Sequence, residues 1–568
     1  MSLISRVGRL SCRRLQNISR LLNPTKSKGP SEFGFPALYS TVNDNSSIPS
    51  SSEPVSQEQT QDPSILKPVS DNFASSQVNP AAQNQKHSSY NPNSSFLPLT
   101  IKDVLKTAAL DSSVSLKGWV KFIRKQKNMT FVSISDGSTT ESVQLLFDSF
   151  NKHLIAPQVS RGASVSVSGK LQKNYRDSTK FDVYPSSFDL IDDCPPDYPF
   201  QKKAMDPSYI RNFTHLRPKL DNFKSVLRVR NQASMEIHKF YQDNDFFQIH
   251  TPIITSNDCE GGSSTFSISA EMSGDQDAPY FSKNVSLSVS GQLHLEAACL
   301  GLSKVYNFNP AFRAESSMTH RHLCEFWMVE AEVCFVDSIH LLMDLIEHSI
   351  RQPITQVLNK CPEDIYNLEK ASESPFSPST WSLADYTKSQ PFARVSYTDA
   401  ISILEQHHNK TGSFKYKPSW GLSLQKEHEL FLADNYFQSP VFVYDYPAKI
   451  KSFYMKSNKD SKDTVACVDL IVPGIAELVG GSVREDDYNT LSEKVEQLYA
   501  TSCMPESKTP GKLATGSDKY WYLDTRKYGS APHSGYGMGF ERFLQILMLK
   551  KNIRDVTMFP RYYGYCDS

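Results

Sequence analysis

The chain has 568 residues, 39% of them apolar and 21% charged, a length and balance that allow several domains around a sizeable buried core. Lysine plus arginine and aspartate plus glutamate both number 61, so the formal net charge is zero and nucleic-acid binding has to come from a local patch. No run of eighteen apolar residues exists, which excludes a membrane-spanning helix, and ten scattered cysteines without a CxxC pair point to a reducing compartment rather than to a disulfide framework or structural zinc.

Residues 1–42 carry Arg6, Arg9, Arg13, Arg14 and Arg20, several serines, and no acid before Glu32. This is the bias of a transit peptide, because import selects basic amphipathic helices; a frayed basic arm that binds RNA is the other reading. Residues 43–97 are mostly Ser, Asn, Gln and Pro. With so few large apolar side chains nothing offsets the entropy of ordering, and the stretch is expected to be a disordered linker.

Order is expected from 98 onward. Val114, Leu116, Val120 and Phe122 alternate with other residues, as do Val132 and Ile134, then Val143, Leu145 and Phe147, then Val165 and Val167. Short alternating strands broken by turns such as Asp136-Gly137-Ser138 predict a small antiparallel barrel over 98–195. That segment holds 13 basic and 10 acidic residues, and Lys117, Lys121, Arg124, Lys125 and Lys127 form a run without an acid. If Val132 and Ile134 face the core, Phe131 faces out beside this run, and Gln144 shares its surface; an exposed ring near cations suits base stacking, although either feature occurs incidentally.

A proline-rich hinge is expected over 196–221, followed by one large α+β unit, 222–568. It opens with a predicted helix, Asn222 to Gln242, whose apolar positions are Val226, Leu227, Val229, Ala233, Met235, Ile237 and Phe240. The stretch 361–390 is rich in Ser and Pro, lacks a clear period, and reads as an inserted loop.

No GxxxxGK[ST] loop is present, so a nucleotide would have to be held without a P-loop. GYGMGFER predicts a glycine-lined strand followed by a helix opening at Glu541-Arg542. One side of such a strand is bare, so a flat ligand could lie on the backbone while Arg542 reaches its charged end; close packing of strand on helix is the competing explanation. The stretch FRAESSMTHRHLCEFWMVEAE, Phe312 to Glu332, concentrates arginines, histidines and glutamates among aromatics. Val305–Arg313 and Phe326–Phe335 read as the two strands of a long hairpin, on which Arg313 can clamp a phosphate and Phe326 can stack on a base, with Arg321 and His322 on the loop. A surface salt-bridge hairpin, or zinc held by His320, His322 and Cys324, are alternatives; the latter lacks an evident fourth ligand.

FRAE with RHLCEF resembles motif 2 of the class II aminoacyl-tRNA synthetases, GYGMGFER resembles motif 3, and the helix leading to Pro252 resembles the dimer-forming motif 1. The phrases SNDCEGG, VSGQLHLE, EFWMVEAE, YPAKIKSFYM, IAELVGGSVRED and YGSAPHSGYGMGFER are similar to the asparaginyl-tRNA synthetases of bacterial and organellar type, over about 98–568. The resemblance implies an α+β protein: an N-terminal OB-fold β-barrel that binds the anticodon, then a class II catalytic core built on an antiparallel sheet. It implies ATP as substrate, Mg²⁺, L-asparagine, tRNA(Asn) and a homodimer.

The resemblance also implies roles. Arg313 would stabilise the α-phosphate and Arg542 the γ-phosphate of a bent ATP, with Glu315, Arg321, His322 and Gly539 in the same site and Phe326 stacking on adenine. Glu477, with Asp469 as a second candidate, supplies hard oxygens for Mg²⁺. Glu260, in a Gly-rich loop, would close over the substrate ammonium, and Gln292 would hold the same end. Along a strand 326, 328 and 330 share a face, so Glu330 can accept from the asparagine amide and repel an aspartate carboxylate, while Arg484 donates to the side-chain carbonyl oxygen; a structural Glu330–Arg484 ion pair is compatible with both. Phe131, Gln144, Arg124 and Lys125 would meet the anticodon. The resemblance implies an asparagine–tRNA ligase, and the basic N-terminus adds the expectation that it serves the mitochondrion or chloroplast. The competing readings are an aspartyl enzyme, disfavoured by Ala314 and EFWMVEAE, an aspartate-amidating relative, disfavoured by the barrel, and a tRNA-binding paralog without catalysis, disfavoured by the presence of Arg313, Glu477 and Arg542.

Overall fold

The computed structural model describes residues 97–567 apart from 178–179, 201–204, 258, 260–263, 270, 273–274, 282, 372–375, 378, 462 and 502–518. The expected transit peptide 1–42 and the expected linker up to residue 96 lie outside the described residues, as does Glu260.

Helix α1 (Ile101–Thr107), started by a Thr100–Asp103 capping box, leads into five strands: β1 (Ser113–Lys125), β2 (Thr130–Ser135), β3 (Val143–Phe147), β4 (Ser164–Lys173) and β5 (Phe181–Asp192). They close into a barrel in the order β1-β2-β3-β5-β4. The alternation read from sequence holds for Val114, Leu116, Val120, Val132, Ile134, Val143, Leu145, Phe147, Val165 and Val167, which are all buried; Phe122 is the exception, 39% exposed because a register shift between Val120 and Phe122 turns it out of the core. Closure is not purely antiparallel, because β3 and β5 pair in parallel. The fifth strand was hidden by Pro185, which demotes a run to non-strand; here it sits opposite Gly169 at a bulge, and a Cβ on Gly169 would overlap the Tyr184 carbonyl.

The proline-rich segment after the barrel is fixed by Arg217, which is 1% exposed and donates to the carbonyls of Arg554, Thr557 and Met558. Burial pushes its guanidinium down to about 10. Helix α2 (Asp221–Asp243) matches the predicted helix within a residue at each end. Val226, Val229, Ala233, Ile237 and Phe240 point into the core, whereas Met235 is 56% exposed. Lys121 of the barrel pairs with Asp221 at 2.9 Å, and Arg228 bonds both the Gly137 carbonyl and Asp364, so barrel and core are tied by charge.

Beyond α2 come β6 (Phe247–Gln248), α3 (Gln292–Leu302), β7 (Lys304–Phe312), β8 (Glu325–Cys334) and α4 (Ile339–Lys360). The expected insertion 361–390 begins as a helix, α5 (Pro362–Lys370), rather than a loop: Pro362 occupies its first turn, and Asp364, Ile365 and Leu368 are buried. Its short amphipathic period was masked by the Ser/Pro bias that follows. Then follow β9 (Ala393–Ser396), α6 (Tyr397–Thr411), α7 (Lys426–Leu430), β10 (Val441–Tyr444), β11 (Cys467–Val472), β12 (Ala476–Val483), α8 (Tyr520–Lys527), β13 (His533–Gly539) and α9 (Phe540–Met548). Among the described residues the main sheet has eight strands in the order β9-β10-β11-β12-β13-β8-β7-β6. Its centre is antiparallel, as expected, while β9–β10 and β7–β6 at the two edges are parallel. Helices α2, α4 and α9 cover one face with a continuous apolar cluster that includes Ile237, Ile346 and Phe543. The opposite face at mid-sheet is the open one.

Candidate active site

The sheet register explains why this open face can hold a ligand. Glu330 on β8 lies opposite Gly537 on β13, Gly537 opposite Gly480 on β12, and Gly480 opposite Asp469 on β11. One row across four strands therefore reads carboxylate, glycine, glycine, carboxylate. The two glycines leave a floor without side chains, walled by acids at both ends. Above it is a cavity of about 610 Å³.

The hairpin forms as predicted: β7 and β8 pair from Lys304–Val333 to Phe312–Glu325, and the Arg313 N–H donates to the Cys324 carbonyl at 2.9 Å. The Arg313 guanidinium lies 5.7 Å from the Phe326 ring centroid. Arg542, in the first turn of α9, donates to the Glu477 carbonyl at 2.8 Å. Arg313, Glu315, Arg321, His322, Phe326, Glu477, Asp469, Gly539 and Arg542 all line the cavity, as do Gln292, Glu330 and Arg484. Segments far apart in the chain thus converge on one space.

Charge inside the cavity is unevenly balanced. Burial, with Arg542 nearby, pushes Arg321 down to about 10, and burial also lowers His322, whose Nδ1 contacts Ser317 and Thr319 hydroxyls. Three guanidiniums around one space repel each other unless an anion arrives. On the acid side, Glu477 and Asp469 both face Gly480, their oxygens 3.5 and 3.7 Å from where a Cβ would sit. Burial raises Asp469, which pairs with Lys451 at 2.6 Å, and pushes Glu429 up to about 7, with Glu477 and Asp469 adding repulsion. These hard oxygens fit a small divalent cation, although among the described residues no group of three or more His, Cys, Asp or Glu side chains is arranged to hold a metal by itself. The His320, His322, Cys324 grouping is absent from such a set, and His320 instead bonds Asn552.

At the amino-acid end the expected Glu330–Arg484 ion pair is not formed. The Glu330 carboxylate accepts from the Ser290 hydroxyl, from the Gly291 N–H at 2.9 Å and from Asn307 Nδ2 at 2.8 Å. Arg484 pairs with Glu332 instead, Nη2 at 2.5 Å and Nε at 3.2 Å, and its Nη1 donates to Ser482. Among the described residues three of its five N–H groups have acceptors, and the other two point to a ligand role. Behind this pair, Glu296 accepts from Arg526 at 2.5 Å and Tyr522 at 2.6 Å, with His533 at 3.2 Å and Gln292 Nε2 at 3.0 Å. Arg526 and Arg484 hold Glu296 well below the usual carboxylate range against the opposing effect of burial, while burial pushes Glu332 up to about 7. Gly535 is required here, since a Cβ would overlap the Glu332 carboxylate.

Glu332, Glu296, Arg526, His533, Lys451 and Glu429 were missed. Period-2 spacing would have reached Glu332, which follows 326, 328 and 330 on one face, and Glu296 lies one helical turn after Gln292; the other four carry no local signal.

On the barrel, Phe131 is half-buried, pairs with Arg124 across β1–β2, and has the Arg124 guanidinium 4.7 Å from its ring centroid. Gln144, opposite Ser133, shares that outer face and donates to Asp182 at 3.2 Å. Lys125 lies opposite Thr130, whose side chain is buried, so it belongs to the other face at the strand end.

Residues 207–563 match the family described as tRNA synthetases class II (D, K and N), and residues 114–191 match the OB-fold nucleic acid binding domain. An asparagine–tRNA ligase of Bacteroides fragilis is 38% identical over 473 residues, 81% of this chain and 97% of the relative. An asparaginyl-tRNA synthetase of Mus musculus is 38% identical over 474 residues, 82% of this chain and 94% of the relative. Among solved structures, the asparaginyl-tRNA synthetase of Pyrococcus horikoshii complexed with asparaginyl-adenylate superposes with a TM-score of 0.70 at 28% identity, covering 83% of this chain and all of that one.

Proposed function

Because the chain belongs to the class II tRNA synthetases for aspartate, lysine and asparagine, we propose that it ligates L-asparagine to tRNA(Asn) through an asparaginyl-adenylate formed in the glycine-floored cavity. The observation that carries this reading is the convergence of Arg313, Arg542 and Phe326 on the same space as the Arg484–Glu332 pair.

The asparagine carboxylate attacks the α-phosphorus of ATP and pyrophosphate leaves; negative charge builds on phosphate oxygens, which Arg313 faces at the centre and Arg321 and Arg542 face at the distal end. Adenine lies against Phe326 over bare backbone. Glu477 and Asp469 would hold Mg²⁺, which supplies charge neutralisation on the phosphates, and Lys451 balances Asp469 otherwise. Glu330, with Ser290 and Gln292, receives the ammonium. The side-chain amide lies between Arg484 and Glu332: the carbonyl oxygen accepts from the free guanidinium N–H groups, and the NH₂ donates to Glu332. Amide reading thus moves two residues along β8 from the expected Glu330. Aspartate in the same place would set a carboxylate against Glu332 and Glu296. Transfer to the terminal ribose of the tRNA completes the reaction.

The outer face carrying Phe131, Gln144 and Arg124 is read as the anticodon site, with Lys125 at most at its margin. Met235 and Phe247, 56% and 55% exposed on α2 and β6, are read as part of a homodimer interface. The basic tract 1–42 is read as an import signal for the mitochondrion and/or chloroplast, which a fluorescent fusion of residues 1–97 tests by its location. Pyrophosphate exchange with asparagine and aspartate in parallel tests the reaction: exchange with asparagine and little with aspartate supports it, and the reverse order makes the protein an aspartyl enzyme.

A further inference from the structure

The segment between α6 and α7 has an unusual combination of rigidity and exposure. No acid occurs between Glu405 and Glu427, whereas Lys410, Lys415, Lys417 and Lys426 all do and all are exposed. Tyr416, Trp420 and Leu422 are 52%, 47% and 57% exposed. The backbone beneath them is pinned. Tyr397 donates its hydroxyl to the Leu422 carbonyl at 2.6 Å and accepts from the Gly421 N–H at 3.1 Å; Glu427 accepts from the N–H groups of Lys415 and Tyr416; His428 Nε2 contacts the Tyr416 carbonyl at 2.7 Å. Trp420 is oriented by a 3.2 Å bond from Nε1 to Thr398 Oγ1. Aromatic rings held in place yet left out of the core, among four lysines with Glu427 committed to the backbone N–H groups beneath, suit unpaired nucleotides: rings stack on bases of any kind and lysines neutralise phosphates.

This surface is joined to the wall of the catalytic cavity through α7. Helix α7 begins at Lys426, and its Glu429 accepts from the Glu477 N–H at 3.3 Å, while Glu477 lines the cavity. The C-terminal end of 411–426 therefore abuts the element that carries Glu429 against Glu477.

Resting on the function proposed above, we infer that Thr411–Lys426 is the surface that receives the unpaired 3′ end of the tRNA, with Tyr416 and Trp420 stacking on its bases and Lys415, Lys417 and Lys426 facing its phosphates. The test uses the full-length enzyme and two transcripts, complete tRNA(Asn) and the same RNA without its unpaired 3′ nucleotides. In a K415A/Y416A/K417A variant, asparagine-dependent pyrophosphate exchange stays within about twofold of the parent, while the KM for tRNA rises about tenfold or more. The parent binds the truncated RNA more weakly than the complete one, and the variant binds both alike. Tyr416→Phe retains the parental KM. An unchanged KM with intact exchange overturns the inference, as does equal weakening of both RNAs, which would mean a duplex contact. A parent enzyme with no asparagine-dependent exchange overturns instead the function on which it rests.

Discussion

Arg313 and Arg542 were legible as residues because FRAE and GYGMGFER carry the family resemblance; taken alone, the two patterns also allowed a salt-bridge hairpin and close packing of strand on helix. Their convergence could not be read from either pattern alone; it follows from β8 pairing with β13. Replacing Arg313 by alanine removes one fixed positive charge from the α-phosphate, and the expected loss in asparagine-dependent exchange is about 10² to 10³ with the fold retained. Near-parental exchange in a folded variant would remove Arg313 from the reaction. Glu332 is the more informative position. Its carboxyl is pushed up to about 7 by burial, so it is mostly charged above that pH and mostly neutral below it. Free aspartate keeps its side-chain charge down to a pH near 4. Repulsion of aspartate therefore weakens as pH falls through about 7, and the ratio of kcat/KM for asparagine over aspartate should be lower at pH 6 than at pH 8. In Glu332→Gln that pH dependence disappears and the ratio falls at both values. A ratio that is flat with pH in the parent would place the discrimination elsewhere.

At the scale of elements, the barrel strands were readable because one face of each is buried, which imprints a period of two, whereas the hairpin strands, buried over Val305–Phe308 and Val329–Cys334, were readable as apolar runs on either side of a polar loop. Strand β5 and helix α5 were not, since a proline at a bulge and a Ser/Pro-rich neighbour each hide the period. Sheet pairing is where the site's shape is decided. Gly535 allows the Glu332 carboxylate to lie across β13 onto Arg484, and Gly535→Ala forces that carboxylate aside. The expected outcome is a rise in the KM for asparagine of at least about tenfold with a much smaller change in the KM for ATP, because the row of Gly537 and Gly480 is untouched. Equal changes in both constants would point to general distortion of the sheet. On the barrel, Phe131→Ala should raise the KM for tRNA, by the about 1 to 3 kcal/mol that stacking on one base contributes, while sparing amino-acid activation. An unaltered KM for tRNA would take Phe131 out of the anticodon face.

For the whole molecule, the two family matches, 114–191 and 207–563, fall within the region over which the sequence resemblance extended, and the architecture it implied, a barrel ahead of a class II core, is the one observed. What it left open were contacts that depend on distant segments meeting: the buried Glu296–Arg526–His533 group behind the amino-acid pocket, and Arg217 fastening the hinge to the C-terminal segment. No helix of the described residues is long and apolar enough to cross a membrane. Met235, a core position by its period, is exposed instead, and Phe247 near it is exposed as well. In the homodimer proposed above this apolar patch is buried between two copies, where a charge is costly, so Met235→Asp with Phe247→Asp should give monomers in sedimentation velocity where the parent gives dimers. A parent that already sediments as a monomer would refute the dimer. The geometry as a whole is tested most directly by a crystal structure with a non-hydrolysable analogue of asparaginyl-adenylate. The expected complex has the phosphate mimic at Arg313, adenine against Phe326, the ammonium at Glu330, and the side-chain amide between Arg484 and Glu332. An analogue bound outside the glycine floor, or with its amide on Glu330 and no contact to Arg484, would contradict it.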